Sequence, residues 1–501
     1  MKHPSKSLLF ASLLAIAGCA SQPEAPVAAP AKAASAAVAA NLAGSVVAGS
    51  NVQVFDANGA ARSAKANAQG GYTLSADGLS APLLLVATTP QGKQYLAYVA
   101  SVKAGANVVN VNALTDRIAS DVAQEARFKG PVGLAASARA PAVPAAKLQE
   151  SVASLRKSLA PALKEIGLSA ESFDPVTAAP SAGLTELLGV VTYNRGYNSA
   201  SGERGETSLY DPYYREITPF APFSLKQAQA DLKEINAPDT VRVFVAGDST
   251  GSNYDPEHAP RMGWGQVFDR QFKAGSKVRT VNLAQSGRSS RSFIEEGWFD
   301  MIAANIRKGD YLLVQFGHND EKCGYEPPRP APARDVIDIK GLCTYPGAPV
   351  AGMGADMSFQ RTLEKYIAMA QKVGATPVLI TPVTRRSFKG GSISGTTHTW
   401  GQGKFPGDYS QTIRDTAAAN KVPLVDLDKK SMDFFNKIGE SGSLDYYLAV
   451  DVAKYPFYVG KTGARDKPDN THFQERGAEA VGGLVAEGLR ENKLPVASLL
   501  K

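Results

Sequence analysis

The sequence predicts an α/β protein: a parallel sheet covered by helices on both faces, preceded by a small β-sandwich and a helical segment. Three observations carry this. From Val241 onward, near-continuous apolar runs (VRVFVAG, VRTVNLA, DYLLVQFG, TPVLITPV and VPLVDL) alternate with amphipathic stretches. Strands buried on both faces and joined by crossover helices have this pattern. From about Asn41 to Asn112, five or six short alternating or β-branched runs are separated by NG, DG and QG turns, which suggests a small β-sandwich. Between the two, residues 114–190 space their apolar side chains at three and four, the period of an amphipathic helix.

The bulk numbers bound the rest. At 501 residues the chain exceeds what a single ordinary core encloses, so several domains are expected. It is 44% apolar and 20% charged, a globular composition. The net charge of +7 comes from scattered Lys and Arg, with no dense basic run and no zinc-finger or RNP-type signature. No nucleic-acid partner is expected.

Taken in order, the chain opens on MKHPSKSLLFASLLAIAGC, where Lys2 and Lys6 precede the apolar run Leu8–Ala17 and small residues lead to Cys19. That run is shorter than the about 20 apolar residues a spanning helix needs, so 1–18 read as an export signal. The ending IAGC resembles a bacterial lipoprotein signal, which implies cleavage before Cys19 and lipidation of its thiol. An ordinary signal peptide with an incidental Cys19 is the alternative. Ala20 stands where many such families carry an aspartate that retains them at the inner membrane. The expectation is therefore an exported bacterial lipoprotein of the outer membrane, touching the bilayer only through its anchor.

Residues 19–40 form an Ala/Pro tether, too poor in large apolar groups to fold. Residues 41–113 are the predicted sandwich, similar to carboxypeptidase-regulatory or transthyretin-like modules. It carries no catalytic constellation, and the resemblance implies a spacer or, as a second reading, glycan binding. Residues 114–190 are the helical segment, with Thr115 a cap for its first helix. Residues 191–239 are polar and aromatic with little periodicity and read as a connector, and 240–501 form the α/β domain. Within that domain Cys323 and Cys343 bracket a Pro-rich stretch. In an exported chain such thiols tend to oxidise, and two cysteines without a nearby histidine do not fill a zinc site. A disulfide is expected, stabilising the loop by about 3 kcal/mol.

In parallel sheets, ligands bind beyond the carboxyl ends of the strands. Three predicted strands run there into polar clusters: Gly247-Asp248-Ser249-Thr250, Gln285-Ser286-Gly287-Arg288-Ser289 and Gly317-His318-Asn319-Asp320. A fourth, Asp469-Asn470-Thr471-His472, precedes the last helix. Together they supply the parts of acyl transfer. The Ser249 hydroxyl needs a base, which His472 offers through one ring nitrogen while Asp469 holds the other. The Ser249 and Gly287 N–H groups and the Asn319 amide can receive an oxyanion, and losing one such donor typically costs about 10² to 10³ in rate. A glycine at 287 lets the backbone approach a substrate.

The blocks GDST, the glycine of the second cluster, GHND and DNTH resemble the four signature blocks of the SGNH or GDSL-like hydrolases, over about Val241 to Leu494. GDST followed by GWG, NLAQSGRSSRSF, GHND and D-x-T-H-F is more closely similar to the rhamnogalacturonan acetylesterases. The resemblance implies a three-layer, flavodoxin-like α/β/α domain. Its residue roles are Ser249 as nucleophile, Gly287 and Asn319 as oxyanion donors, and Asp469 and His472 as triad partners. It also implies removal of O-acetyl groups from pectic polysaccharide or oligosaccharide through an acyl-enzyme, with no cofactor or metal. Two departures, the Cys-bracketed insertion and the stretch FKGGSISGTTHTWGQGKFPGDYS, bear on which glycan fits. An esterase for another acetylated glycan or small ester, a non-catalytic lipid-anchored glycan-binding protein, and a two-metal phosphoesterase are the competing readings. The last needs more histidines and carboxylates than these blocks hold.

Several side chains carry two readings. Ser249 and Thr250 could cap a helix, and Asp248 supports the turn rather than attacking. His318 either lines the cleft or hydrogen-bonds within its loop. Trp264 is either a face for a sugar ring or core packing. Arg288 and Arg291 either meet carboxylates of an acidic glycan or are surface charge. His258 and His398 have no assignable partner.

Overall fold

Seven short strands open the described part of the computed structural model, which covers residues 40–198, 203–323, 341–351, 354–400 and 407–501. The export signal, Cys19, most of the tether and the middle of the Cys-bracketed stretch lie outside the described residues. The strands are β1 (Ala40–Ser45), β2 (Asn51–Asp56), β3 (Ala61–Lys65), β4 (Gly71–Ser75), β5 (Leu83–Thr88), β6 (Gln94–Val99) and β7 (Gly105–Val108). They form two sheets, of order β4-β1-β7 and β3-β2-β5-β6. Leu42 and Leu74 of one meet Val52, Val54, Leu83 and Leu85 of the other in a shared core. Strand β3, ARSAK, is mostly exposed and shows no apolar alternation, so it left no strand signal. The run LLLVAT of β5 is continuous because its second face is also covered: Leu84 and Val86 pack with Leu96, Val122 and Leu134.

Those covering side chains belong partly to α1 (Ala113–Glu125) and α2 (Gly130–Ala136). The cap of α1 is Asn112, not the expected Thr115. Asn112 Oδ1 accepts from the Leu114 N–H at 2.9 Å, and Thr115 Oγ1 accepts from the Asn112 N–H at 2.9 Å. Thr115 is the third residue of a capping box, reaching back rather than starting the helix. Next come α3 (Ala145–Glu165) and α4 (Ala182–Val190).

The presumed connector is structured. It holds a hairpin, β8 (Thr192–Asn198) with β9 (Glu203–Tyr210), and then α5 (Leu225–Asn236). The hairpin is held by a group distant in sequence. Buried Asp116 of α1 accepts from Arg195 Nε at 3.1 Å, from Thr207 Oγ1 at 2.8 Å and from the Leu96 N–H at 2.8 Å. Such long-range partners leave no periodicity. In α5, Leu225 and Ala228 pack with α3 and α4, whereas Ile235 packs with the next layer.

That layer flanks a parallel sheet. Its region comprises β10 (Val241–Gly247), the short β11 (Arg261–Met262), β12 (Val278–Asn282), α6 (Ser290–Glu295), α7 (Trp298–Asn305) and β13 (Tyr311–Gln315). It continues with α8 (Phe359–Val373), β14 (Thr376–Ile380), the small pair β15 (Thr399–Trp400) and β16 (Gly407–Asp408), α9 (Tyr409–Asn420) and β17 (Leu424–Val425). It closes with α10 (Leu427–Gly442), β18 (Phe473–Gln474) and α11 (Glu475–Glu491). The sheet order is β12-β10-β13-β14-β17, all parallel. Alternate residues feed two cores, which makes three layers. Val243, Val245, Leu313, Val378 and Ile380 meet α11 and Trp264 on one face. Phe244, Ala246, Leu312, Val314 and Leu379 meet α6 to α9 on the other. The chain leaves β10 for β12 on one side and returns to β13 on the other, the switch point where such sheets bind ligands. Among the described residues, no helix is long and apolar enough to cross a membrane.

The last helix is docked through its glycines. A Cβ at Gly477 would run into the Tyr446 carbonyl and come within 3.0 Å of Phe473, whereas one at Gly483 meets nothing nearer than 3.9 Å. Gly477→Ala should therefore lower the thermal midpoint by several degrees. Gly483→Ala should raise stability by about 0.5–1 kcal/mol through helix propensity. Thermal and urea unfolding of the pair check the contrast.

Candidate active site

The end of β10 passes close beneath its neighbour: a Cβ at Gly247 would stand 2.9 Å from the Gln315 carbonyl. The following Asp248 is fully buried and closes the turn. Its Oδ1 accepts from the Thr250 N–H at 2.9 Å and from the Thr250 hydroxyl at 2.8 Å, and its Oδ2 faces His318 Nδ1 at 3.1 Å. Burial opposes its charge, but His318 and the Thr250 bonds hold its carboxyl below the usual range. The turn thus presents Ser249 at the carboxyl edge of the sheet. Tyr254 fixes it further by donating its hydroxyl to the Ser249 carbonyl at 2.7 Å.

His472 reaches this point from the other end of the domain. Met262 pairs with Phe473 and Arg261 with Gln474, so β11 and β18 carry His472, the residue ahead of β18, beside the Ser249 turn. His472 Nε2 lies 2.9 Å from Ser249 Oγ, and its Nδ1 lies 2.8 Å from Asp469 Oδ2. The other Asp469 oxygen accepts from the Thr471 N–H at 2.8 Å and the His472 N–H at 3.1 Å. Burial would raise Asp469, but these four bonding and charge contributions outweigh it and hold the carboxyl at about 2. Burial also presses His472 below its ordinary value; the bond to Asp469 opposes this in part, and the charge of Arg261 adds to the depression. The imidazole is therefore neutral, able to accept a proton at Nε2, at a lower pH than a free histidine.

The donors expected for an oxyanion lie on the next two loops. Gly287 has φ +79°, a left-handed conformation that side chains disfavour. Neither the Ser249 N–H nor the Gly287 N–H has a hydrogen-bond partner among the described residues. Asn319 Nδ2 donates to the Arg288 carbonyl at 3.1 Å, and its Oδ1 accepts from Lys322 Nζ at 2.8 Å. One N–H of the Asn319 amide is thus used for orientation, leaving the second.

The three expected substrate contacts are placed differently. Trp264 is fully buried and donates its indole N–H to Gln315 Oε1 at 2.7 Å. It has no face for a sugar, because the β10–β13 floor needs it as packing. Arg288 is tied to Glu296 Oε2 at 2.8 Å and to the Ser286 carbonyl at 2.6 Å. His318 is buried against Asp248, and its ring stands 4.5 Å from that of His398. It belongs to the loop scaffold rather than to the cleft lining. His398 has partners after all: Nε2 meets the Val383 carbonyl at 2.8 Å, and Nδ1 lies 3.4 Å from Arg385 Nη1. His258 pairs with Asp255 at 2.6 Å. Asp255, Glu257 and His258 lie within 4.8 Å of one another, the only grouping with metal-ligand composition among the described residues, and nothing else marks them as a site. Cys323 and Cys343 are joined in a disulfide.

Sequence reasoning gave no role to Asp320, which proves central. It accepts from the Ser290 N–H at 3.0 Å, the Ser290 hydroxyl at 2.6 Å, the Thr344 hydroxyl at 2.6 Å and the Gly317 N–H at 3.1 Å. It pins the second and third loops together, and burial pushes its carboxyl up to about 6. Its place in GHND was the available signal. Gln315 and Tyr254 were also missed; a polar residue inside the apolar strand YLLVQ was the hint for the first.

The GDSL-like lipase/acylhydrolase family matches residues 245–480, and the chain belongs to that family. It is a serine ester hydrolase domain of α/β fold. The chain is 37% identical over 257 residues to the rhamnogalacturonan acetylesterase RhgT of Bacillus subtilis (strain 168), covering 51% of this chain and 92% of the relative. It is 32% identical over 260 residues to the probable rhamnogalacturonan acetylesterase YesY of the same organism, covering 52% and 97%. The crystal structure of YxiM from Bacillus subtilis aligns at 23% identity and a TM-score of 0.36, over 51% of this chain and 58% of that one.

If Trp264 only packs, Trp264→Phe should cost about 1–3 kcal/mol of stability through the lost indole bond to Gln315 and the lost packing. It should leave KM for a polysaccharide ester unchanged. A raised KM at unchanged stability would restore the sugar-platform reading. Unfolding curves and steady-state kinetics on one preparation decide it.

Proposed function

We propose that this chain removes O-acetyl groups from a rhamnogalacturonan-type polysaccharide by a Ser-His-Asp acyl-enzyme mechanism. The observation that carries the reading is the continuous chain of contacts from Ser249 Oγ through His472 to Asp469, at 2.9 Å and 2.8 Å. The named activity of the relatives RhgT and YesY supports the substrate class. Ser249 Oγ attacks the acetyl carbonyl carbon as His472 Nε2 takes its proton, with Asp469 steadying the imidazolium. The Ser249 and Gly287 N–H groups and the free Asn319 N–H stabilise the oxyanion. Collapse expels the sugar oxygen, which receives the proton from His472. Water, deprotonated by the same nitrogen, then attacks the acetyl-enzyme and releases acetate.

The same reading extends to the whole chain. Residues 1–18 are an export signal, and Cys19 is the lipidated residue of an outer-membrane lipoprotein; the Cys323–Cys343 disulfide supports an oxidising compartment. Residues 19–40 tether the body, and 41–113, similar in pattern to carboxypeptidase-regulatory modules, act as a spacer. Residues 114–190 and 191–239 support the catalytic domain at 240–501.

Ser249→Ala should reduce acetate release by at least about 10³, and dialysis against a chelator should leave the wild-type rate unchanged. Equal hydrolysis of p-nitrophenyl acetate by wild type and Ser249→Ala would refute the mechanism. Because the base must be neutral and His472 is held below 6.5, kcat/KM should rise with pH and level off through an apparent pKa below that value. An inflection above it would contradict the assignment of the base.

A further inference from the structure

Two arginines of the loops around the site are already paired. Arg288 has Glu296 at 2.8 Å, and Arg385 is bonded to Glu321. Arg261 has no carboxylate within ion-pair distance among the described residues. Its Nε is buried and has no hydrogen-bond partner. A guanidinium in that state is unusual, because its planar fork of donors is normally met by acceptors.

Its position is as well defined as that of the triad. Arg261 lies on β11, paired with Gln474 two residues beyond His472. Gly263 follows it, packed so closely on the backbone of Gly251 and Ser252 that no Cβ would fit. The guanidinium lies 4.4 Å over the Tyr254 ring, whose hydroxyl donates to the Ser249 carbonyl at 2.7 Å. The residue is half-buried, with its Nε enclosed.

A lone cation here has a cost: its charge depresses the basicity of His472, the group proposed to take the Ser249 proton. For a neutral substrate it would bring only that cost. We propose that Arg261 binds a carboxylate on the sugar unit next to the acetyl ester, so that the site is selective for an anionic, uronate-bearing glycan. This rests on the acetylesterase reading above and adds the residue that selects the substrate. Guanidinium and carboxylate match in a two-pronged geometry that a lysine ammonium reproduces only as a point charge, and the bound anion offsets the field felt by His472. Arg288, one of the two arginines the sequence offers for this task, is already committed to Glu296.

The test compares acetate release from acetylated polygalacturonate and from the same polymer after its carboxyl groups are reduced to alcohols. Wild type, Arg261→Met and Arg261→Lys are measured, well above the acid limb of the pH profile. Wild type should favour the acidic polymer, and the preference should weaken as ionic strength rises. In Arg261→Met the ratio of kcat/KM between the two polymers should fall roughly tenfold, the size of a charge-assisted pair, and Arg261→Lys should lie between. Equal loss on both polymers would make Arg261 a support for the β11–β18 pairing and overturn the proposal. So would a wild type without preference, which leaves the esterase reading intact. A wild type that hydrolyses p-nitrophenyl acetate but neither polymer would overturn the polysaccharide reading and this inference together.

Discussion

The hydrogen bond between Ser249 Oγ and His472 Nε2 joins groups 223 positions apart, and most of the domain's architecture serves that contact. Ser249 is carried by β10, flanked by β12 and β13 within the sheet. His472 immediately precedes β18 and α11, and α11 docks on the same core through Val481, Val485 and Leu489. The two-residue pairing of β11 with β18 brings the two groups together. Neither half has a site without the other, so the fold must close before chemistry is possible.

Beneath the contact lies a polar floor whose groups hold one another by hydrogen bonds. Asp248 closes the nucleophile turn and holds His318. Gln315 takes the Trp264 indole at 2.7 Å, and Asp320 collects four donors from two loops. These groups are buried. They fix backbone N–H groups and one amide before a substrate arrives, which is how oxyanion stabilisation is obtained without reorganisation.

How far the sequence disclosed this depended on range. Strands β10, β12, β13 and β14 were legible because both faces are buried, leaving nearly unbroken apolar runs. The four polar blocks were legible because each follows a strand or precedes a helix at the same edge. The β8–β9 hairpin was not, because Asp116 and Arg195 hold it across 79 positions. In α5 the signal was present, a Ser224 cap with Leu225, Ala228 and Ile235 in register, but its polar surroundings masked it. Trp264 and Arg288 show the complementary limit. Residue type marks them as sugar or carboxylate binders, and only their partners, Gln315 and Glu296, reveal that they are already occupied. The same census of partners singles out Arg261.

The central claim is that Ser249 is the atom acylated. It is tested most directly by inactivating the full chain with a p-nitrophenyl alkylphosphonate and locating the label by peptide mass mapping. The account predicts one label per chain, on the peptide bearing Ser249, with esterase activity lost in proportion and labelling much slower in His472→Ala. A label on any other residue, or full activity in a chain labelled at Ser249, would contradict it.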